Sequence, residues 1–495
     1  MTTRRFVSFA APLGVCILLA GWIALSAANV QAATFSMLVY GIANLIVYID
    51  ALDFALRLYM RRRHTATARG AGRHIETSID LGGALSDRGY GPSWGAIPYA
   101  ATPGFSRAGL HAPYAIIASI YNLGDQLDEF IAAYAPYRDR IWLVSDGSTD
   151  DTLIRLRQAG WRCFDDGVNR RKPGALRRLL ETLPESIEAV FVIDPDIRIL
   201  PRGAGSEIDL DQFAADFLRS GAAAACPRVM IAPDGFLARF QAFEYALAFR
   251  VGRHSLADYC QTSGVSLYRR DALRRALDDH SLSVYAEDFE NAVLLLARGE
   301  RIYYDGRLVV STEGPGAFRR WFSQRVGWYH GLLKVYAERF GSLWRIARRT
   351  PFSLYHFMLY LGGLTIGVHV LKVLSAALLL VSFVGGFDTL FLARWLPNAG
   401  WVNPAYFMSA VGGYLLLGVV ALFTVVPRAE RAYTAPIVPL YLFYALVHIA
   451  PMSVGYANWI AVRLVGRRLY RDHYEPAEGT AQAPVGLHSF ARRLR

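Results

Sequence analysis

Only four cysteines occur in 495 residues, Cys16, Cys163, Cys226 and Cys260, and no two form a CxxC pair. That scarcity excludes a disulfide framework and a cysteine zinc site, so chemistry facing a reducing cytosol is the default. Charge is sparse as well: 19% of residues are charged against 53% hydrophobic, and mean hydropathy is +0.23. So little charge excludes a disordered chain and argues against an ordinary soluble enzyme. Acidic residues are outnumbered 41 to 53, for a formal net charge of +12. A basic balance suits either nucleic acid or anionic lipid. Here the basic residues sit beside apolar runs, which favours lipid headgroups and leaves a nucleic-acid partner without support. No internal repeat is apparent.

Long apolar runs are what the chain has in plenty. Phe9 to Ala28 and Phe35 to Leu56 are each long enough to cross a bilayer core of about 30 Å, although the second carries Asp50 and Asp53 near its end. Arg4 and Arg5 precede the first run, and Arg61, Arg62 and Arg63 follow the second. The positive-inside rule then places both flanks, and the middle of the chain, in the cytoplasm. Val30-Gln31-Ala32 resembles a signal-peptidase site, whose cleavage would not change that side. Further apolar blocks run from Phe352 to Phe387, Ala405 to Val426 and Ala435 to Val465. One crossing each would make five spans. Arg463, Arg467, Arg468 and Arg471 after the last block favour an inside end, hence six crossings or five with a re-entrant piece. The expected setting is a bacterial inner membrane.

Between 318 and 349, Arg319, Arg320, Arg325, Lys334 and Arg339 interleave with Trp321, Phe322, Trp328, Leu332 and Trp344. That pattern predicts amphipathic helices on the membrane surface. Residues 58 to 112, rich in Gly, Ala, Arg and Ser, read as a linker.

From Pro113 the pattern alternates. Tyr114 to Tyr121, Ile141 to Ser145 and Ala189 to Ile193 are short apolar runs suited to buried parallel strands, with Arg162 to Phe164 a shorter candidate. Helical spacing fills the intervals, predicting an α/β sheet flanked by helices. In such sheets polar residues just past the carboxyl ends of strands line the ligand crevice. Asp146-Gly147-Ser148 and Asp194-Pro195-Asp196 lie at such ends. Two carboxylates at i, i+2 suit a hard cation that neutralises a diphosphate; DGS alone is also a common turn. Lys172 stands before a predicted helix, where a cation and free N–H groups suit phosphate, although a lone lysine is more often a solvated charge. Asp288 opens another predicted helix, where a carboxylate matches the dipole in any case.

Taken in order, Asp146-Gly147-Ser148, Lys172-Pro173-Gly174, Asp194-Pro195-Asp196, Phe240-Gln241-Ala242-Phe243-Glu244-Tyr245, Ser263-Gly264, Glu287-Asp288 and Gln324-Arg325-Val326-Gly327-Trp328 resemble the membrane-embedded family 2 glycosyltransferases. That family includes the cellulose, hyaluronan, chitooligosaccharide and poly-N-acetylglucosamine synthases. The resemblance spans about Tyr114 to Trp328. It implies a GT-A α/β domain at 113–316 between transmembrane helices at 1–57 and 351–466, with interfacial helices at 317–350 and a basic tail at 467–495. It further implies a nucleotide-sugar donor, usually a UDP-sugar, Mg²⁺ or Mn²⁺, and a glycan or lipid-linked acceptor. Asp146 would meet the base, and Lys172 the nucleotide and its phosphates. Asp194 would face the donor and share the metal with Asp196. Asp288 would be the general base and Glu287 its acceptor-side neighbour. Gln324 and Arg325 would cover the diphosphate, and Trp328 would stack on the acceptor sugar. Two positions depart from the family: Ala286 replaces the threonine of its TED motif, and Gly327 replaces the arginine of QxxRW. The second weakens the inference to processive synthesis, leaving single transfer to a lipid-linked acceptor as the alternative. A non-catalytic binding scaffold is the reading from another class.

Overall fold

The computed structural model describes residues 47–64, 113–370, 372–373 and 404–471. The expected first crossing, the Val30-Gln31-Ala32 site, the linker from 65 onward, the stretch 374–403 and the tail beyond 471 lie outside them.

Apolar runs with no polar interruption need both faces covered, and the sheet supplies that. Strands β1 (Tyr114–Ile120), β2 (Ile141–Ser145), β3 (Cys163–Asp165), β4 (Ala189–Ile193), β5 (Arg198–Ile199), β6 (Ala224–Ile231), β7 (Ser266–Arg269) and β8 (Ile302–Thr312) form one sheet in the order β3-β2-β1-β4-β7-β6-β8-β5. The first half is parallel, with Ile116 opposite Ile141 on one side and Ala115 opposite Val190 on the other. The chain winds outward through β1, β2 and β3, then returns to the far side of β1 as β4. That reversal opens a crevice at the carboxyl ends of β1 and β4. Beyond β4 the sheet turns mixed: β7 is antiparallel to both β4 and β6, while β6 runs parallel to β8.

Helices close both faces. In helix Gln126–Tyr134, Leu127, Phe130 and Tyr134 fall on one buried stripe. Helix Leu210–Ser220 starts where the Asp209 side chain accepts the Gln212 N–H, and stops at Gly221, whose φ of 68° suits glycine. Its Phe213 meets Phe191 of β4 edge-on at 6.3 Å. Each of these buried rings contributes roughly 1.5–3 kcal/mol.

One expectation changes here. Residues 58–64, read as linker, continue the helix that begins by residue 47. The reason is a polar knot on that helix: Arg57 donates to both Asp53 oxygens at 2.8 Å, lies 4.5 Å over the Tyr360 ring, and meets His356 Nδ1 at 3.1 Å. The segment expected on the membrane surface forms helices Phe318–Glu338 and Phe340–Ala347, and the first is clasped on both sides. Trp321, Arg325, His330 and Lys334 are buried, and the helix packs along Ile449–Val465. Trp321 Nε1 donates to Tyr444 Oη at 3.0 Å, so this indole faces protein, while Phe318, Phe340 and Trp344 of the segment stay exposed. One helix among the described residues, Arg428–Val465, is long and apolar enough to cross a membrane.

Candidate active site

The site forms where chain ends left by the sheet meet the first turn of one helix. Asp194 emerges from β4. Lys172 sits in the first turn of helix Arg171–Thr182, and Glu287 and Asp288 open helix Glu287–Ala297. Lys172 Nζ lies 2.6 Å from Asp194 and donates to Glu287 Oε1 at 2.9 Å. One ammonium thus joins carboxylates 93 positions apart in sequence. Thr262 Oγ1 donates to the Asp288 carbonyl at 2.6 Å, tying in the loop before β7. In that loop Gly264 presses against Asp194, and a Cβ there would run into the carboxylate. Asp196 accepts from Thr312 Oγ1 at 2.5 Å, which anchors it to the end of β8.

The electrostatics follow from this crowding. Burial pushes Asp194 up to about 6, with Lys172 opposing and Asp196 and Glu287 reinforcing. Its side chain still keeps 36% of its surface, so a cation can reach it. Burial, then the neighbouring Glu287, push Asp288 up to about 7 against the pull of Lys172 and Arg253. A carboxyl poised there can exchange a proton at neutral pH. Asp146 follows β2 and is raised to about 6 by burial, while the Arg170 N–H donates to its Oδ1 at 2.6 Å.

The structure therefore brings Lys172, Asp194, Glu287 and Asp288 together, with Asp196 two residues past Asp194 and Asp146 at the end of β2. It treats the 324–328 segment differently. Gln324 and Trp328 are half-buried on helix Phe318–Glu338. Arg325 is only 1% exposed, donates to Glu244 at 2.8 Å, and holds Trp328 4.0 Å from its guanidinium carbon. Tyr444 Oη completes the Glu244 partnership at 2.8 Å.

Two features escaped sequence reasoning. Arg253 closes a π-helical turn, Ala248–Arg253, and its charge acts on Asp288. A lone arginine in a basic and apolar stretch gives no local signal. Beside it lies a cavity of about 440 Å³, lined by Asp50, Asp53, Arg57, Glu244, Arg253 and Gln261 together with apolar and aromatic side chains. Among the described residues no three His, Cys, Asp or Glu side chains converge as a metal cluster. The protein can offer a cation the two carboxylates of Asp194-Pro195-Asp196, a donor set that fits Mg²⁺ or Mn²⁺ completed by phosphate and water.

No protein-family model matches the sequence, and no curated protein does. Among solved structures, a mannosyltransferase from Pyrobaculum calidifontis, in complex with GDP-Man and Mn²⁺, is 17% identical. Its TM-score is 0.46, and the match covers 83% of this chain and 97% of that one. Glucosyl-3-phosphoglycerate synthase from Mycobacterium tuberculosis, with Mn²⁺ and UDP-glucose, is 17% identical at a TM-score of 0.29, covering 41% and 72%. Mannosyl-3-phosphoglycerate synthase from Rubrobacter xylanophilus is 14% identical at 0.29, covering 46% and 74%.

Proposed function

We propose that this chain is a membrane-bound inverting glycosyltransferase with a GT-A domain. It moves a sugar from a nucleotide diphosphate donor, a UDP-sugar first, onto a growing β-linked glycan. The observation that carries this reading is the Lys172 bridge between Asp194 and Glu287, with Asp288 beside it: donor-side and acceptor-side carboxylates share one ammonium. A bound donor diphosphate would exchange for those carboxylates on Lys172, and Asp146 would lie at the nucleoside end. Held by Asp194 and Asp196, Mg²⁺ or Mn²⁺ would supply positive charge to the diphosphate. Asp288 takes the proton of the acceptor hydroxyl as that oxygen attacks the anomeric carbon and the nucleoside diphosphate departs. One displacement converts an α-linked donor into a β-linked product.

The cavity supports a glycan acceptor. Asp50, Asp53 and Glu244 line it against two cations, Arg57 and Arg253, a balance that suits sugar hydroxyls better than a lipid diphosphate. Aromatic lining from Phe243, Tyr360 and Tyr441 offers faces for pyranose rings. Growth of a polymer and its export between the apolar helices belong to the same reading, with Trp328 and Glu287 on the acceptor side and Gln324 near the diphosphate.

The test is nucleoside diphosphate release by the detergent-purified chain across UDP- and GDP-sugars, with and without Mg²⁺ or Mn²⁺, followed by mass analysis of products. Metal-dependent release from a UDP-sugar with a ladder of lengthening glycans is expected. Release with a single added sugar on lipid would replace the polymer reading. Binding of donor without release from any would leave only a scaffold.

A further inference from the structure

Gly327 carries no cation, and Arg325, the nearest in sequence, is committed to Glu244. Another guanidinium, that of Arg253, acts on Asp288 by its charge. Arg253 Nε donates to the Gln261 carbonyl at 3.2 Å and Nη2 to the Thr262 carbonyl at 3.3 Å. Its guanidinium carbon lies 4.1 Å from the Phe249 ring centroid, which fixes the fork from behind. Nη1 makes no hydrogen bond among the described residues, and Arg253 lines the cavity. The loop it grips is the loop whose Thr262 holds the Asp288 carbonyl. Arg253 is thus joined to Asp288 twice, through the backbone of Gln261–Thr262 and through space.

Resting on the glycosyl-transfer reading, we propose that Arg253 is a positioning residue for the reaction. It clamps the loop whose Thr262 holds the Asp288 carbonyl, and it remains as the base's cation when the donor diphosphate draws Lys172 away. The groups facing Asp288 make the second part necessary. Glu287 opposes its ionisation and Tyr268 packs nearby, while Lys172 and Arg253 are the two charges that favour the carboxylate. Of these two, Lys172 is shared with Asp194 and lies on the donor side. A base without a cation in so buried a place would hold its proton at neutral pH.

The experiment uses the full chain in detergent and reads two quantities. The first is labelling of Asp288 by a water-soluble carbodiimide, which consumes the protonated carboxyl, followed by peptide mass spectrometry from pH 5 to 9. This needs no sugar donor, so it tests the Arg253–Asp288 link separately from the transferase reading. In R253Q the labelling midpoint should rise by about one pH unit, and in R253K it should stay near wild type. The second quantity is turnover. In R253Q, kcat at pH 7 should fall roughly fivefold or more, as the ionised fraction drops from about one-half to about one-tenth. It should recover toward pH 9, with donor KM unchanged. An unmoved midpoint in R253Q, or a shift in R253K as large as in R253Q, would overturn the charge role. T262V keeps the proposal testable should R253Q not accumulate. It cuts the loop from Asp288 while leaving the cation, so kcat should fall with the midpoint unchanged. A T262V variant with wild-type kcat would overturn the clamp.

Discussion

Helix Glu287–Ala297 carries two carboxylate clusters that solve opposite problems. At its first residue, Glu287 shares Lys172 with Asp194, in a place that stays partly open to solvent. Three residues on, Glu290 is sealed at 0% exposure, receiving Arg339 at 2.6 Å, Lys334 at 3.3 Å and the Ser281 hydroxyl at 2.6 Å, with His280 alongside at 3.5 Å. The open cluster has one cation between several acids, so an incoming anion and cation can replace its internal pairing. The sealed one has a full set of donors around one acid and nothing to exchange. Burial alone would raise Glu290, yet His280, Lys334, Ser281 and Arg339 bring it down to about 2. Asp288 goes the other way, to about 7. The first cluster is thus placed to exchange a proton near neutrality, and the second to anchor the fold.

Four changes would break or sharpen that contrast. Largest is D288N. Transfer should fall by about 10²–10⁴-fold, the span of a lost general base, with donor affinity and thermal stability near wild type. Steady-state kinetics beside calorimetric donor binding would show whether affinity falls too, which would dissolve the distinction. Next is E290Q, which leaves Lys334 and Arg339 facing a neutral amide indoors. Chemical denaturation of the detergent-solubilised chain should show a loss of about 3–5 kcal/mol. The third concerns pH. With Asp288 raised to about 7, transfer needs the deprotonated acid, so kcat should climb through neutrality. With Glu290 depressed from an ordinary 4.5 to about 2, its stabilisation is complete above about 4.5 and fades as pH drops toward 2. Activity should thus vanish on acidification while the fold persists; loss of both together would merge the clusters into one. The smallest is R178A, at the exposed pair Arg178–Glu181 on helix Arg171–Thr182. Solvent and salt screen such a pair, and stability should shift by at most about 0.5 kcal/mol.

How far the sequence reveals each part follows from the range of the interactions involved. β1, β2 and β4 are largely apolar runs followed by Asp or by Tyr121-Asn122, so strand type, direction and the acidic crevice were all written locally. The mixed half was not. β6 finds its register in Ala224 opposite Tyr268 and Ile302, partners tens of residues away that no local periodicity encodes. Candidate residues divide in the same way. Asp146, Asp194 and Asp288 sit at element ends, where turn chemistry marks them. Arg253 acquires its place from a π-helical turn and the carbonyls of a distant loop. Arg325 was legible as a cation but not as the partner of Glu244, since that pairing depends on how helix Phe318–Glu338 crosses Gly235–Leu247.

A Cβ on Gly331 of helix Phe318–Glu338 would run into the backbone and Cβ of Ala286, and one on Gly455 of helix Ile449–Val465 into the backbone of Val326 and His330. Ala286 itself holds a left-handed φ of 52° directly before Glu287 and Asp288. Close packing therefore runs from helix Ile449–Val465 through helix Phe318–Glu338 to the turn before Asp288. A methyl group at either glycine would have to displace backbone, so G331A would press directly on the turn that sets Glu287 and Asp288, and G455A on the helix packed against it.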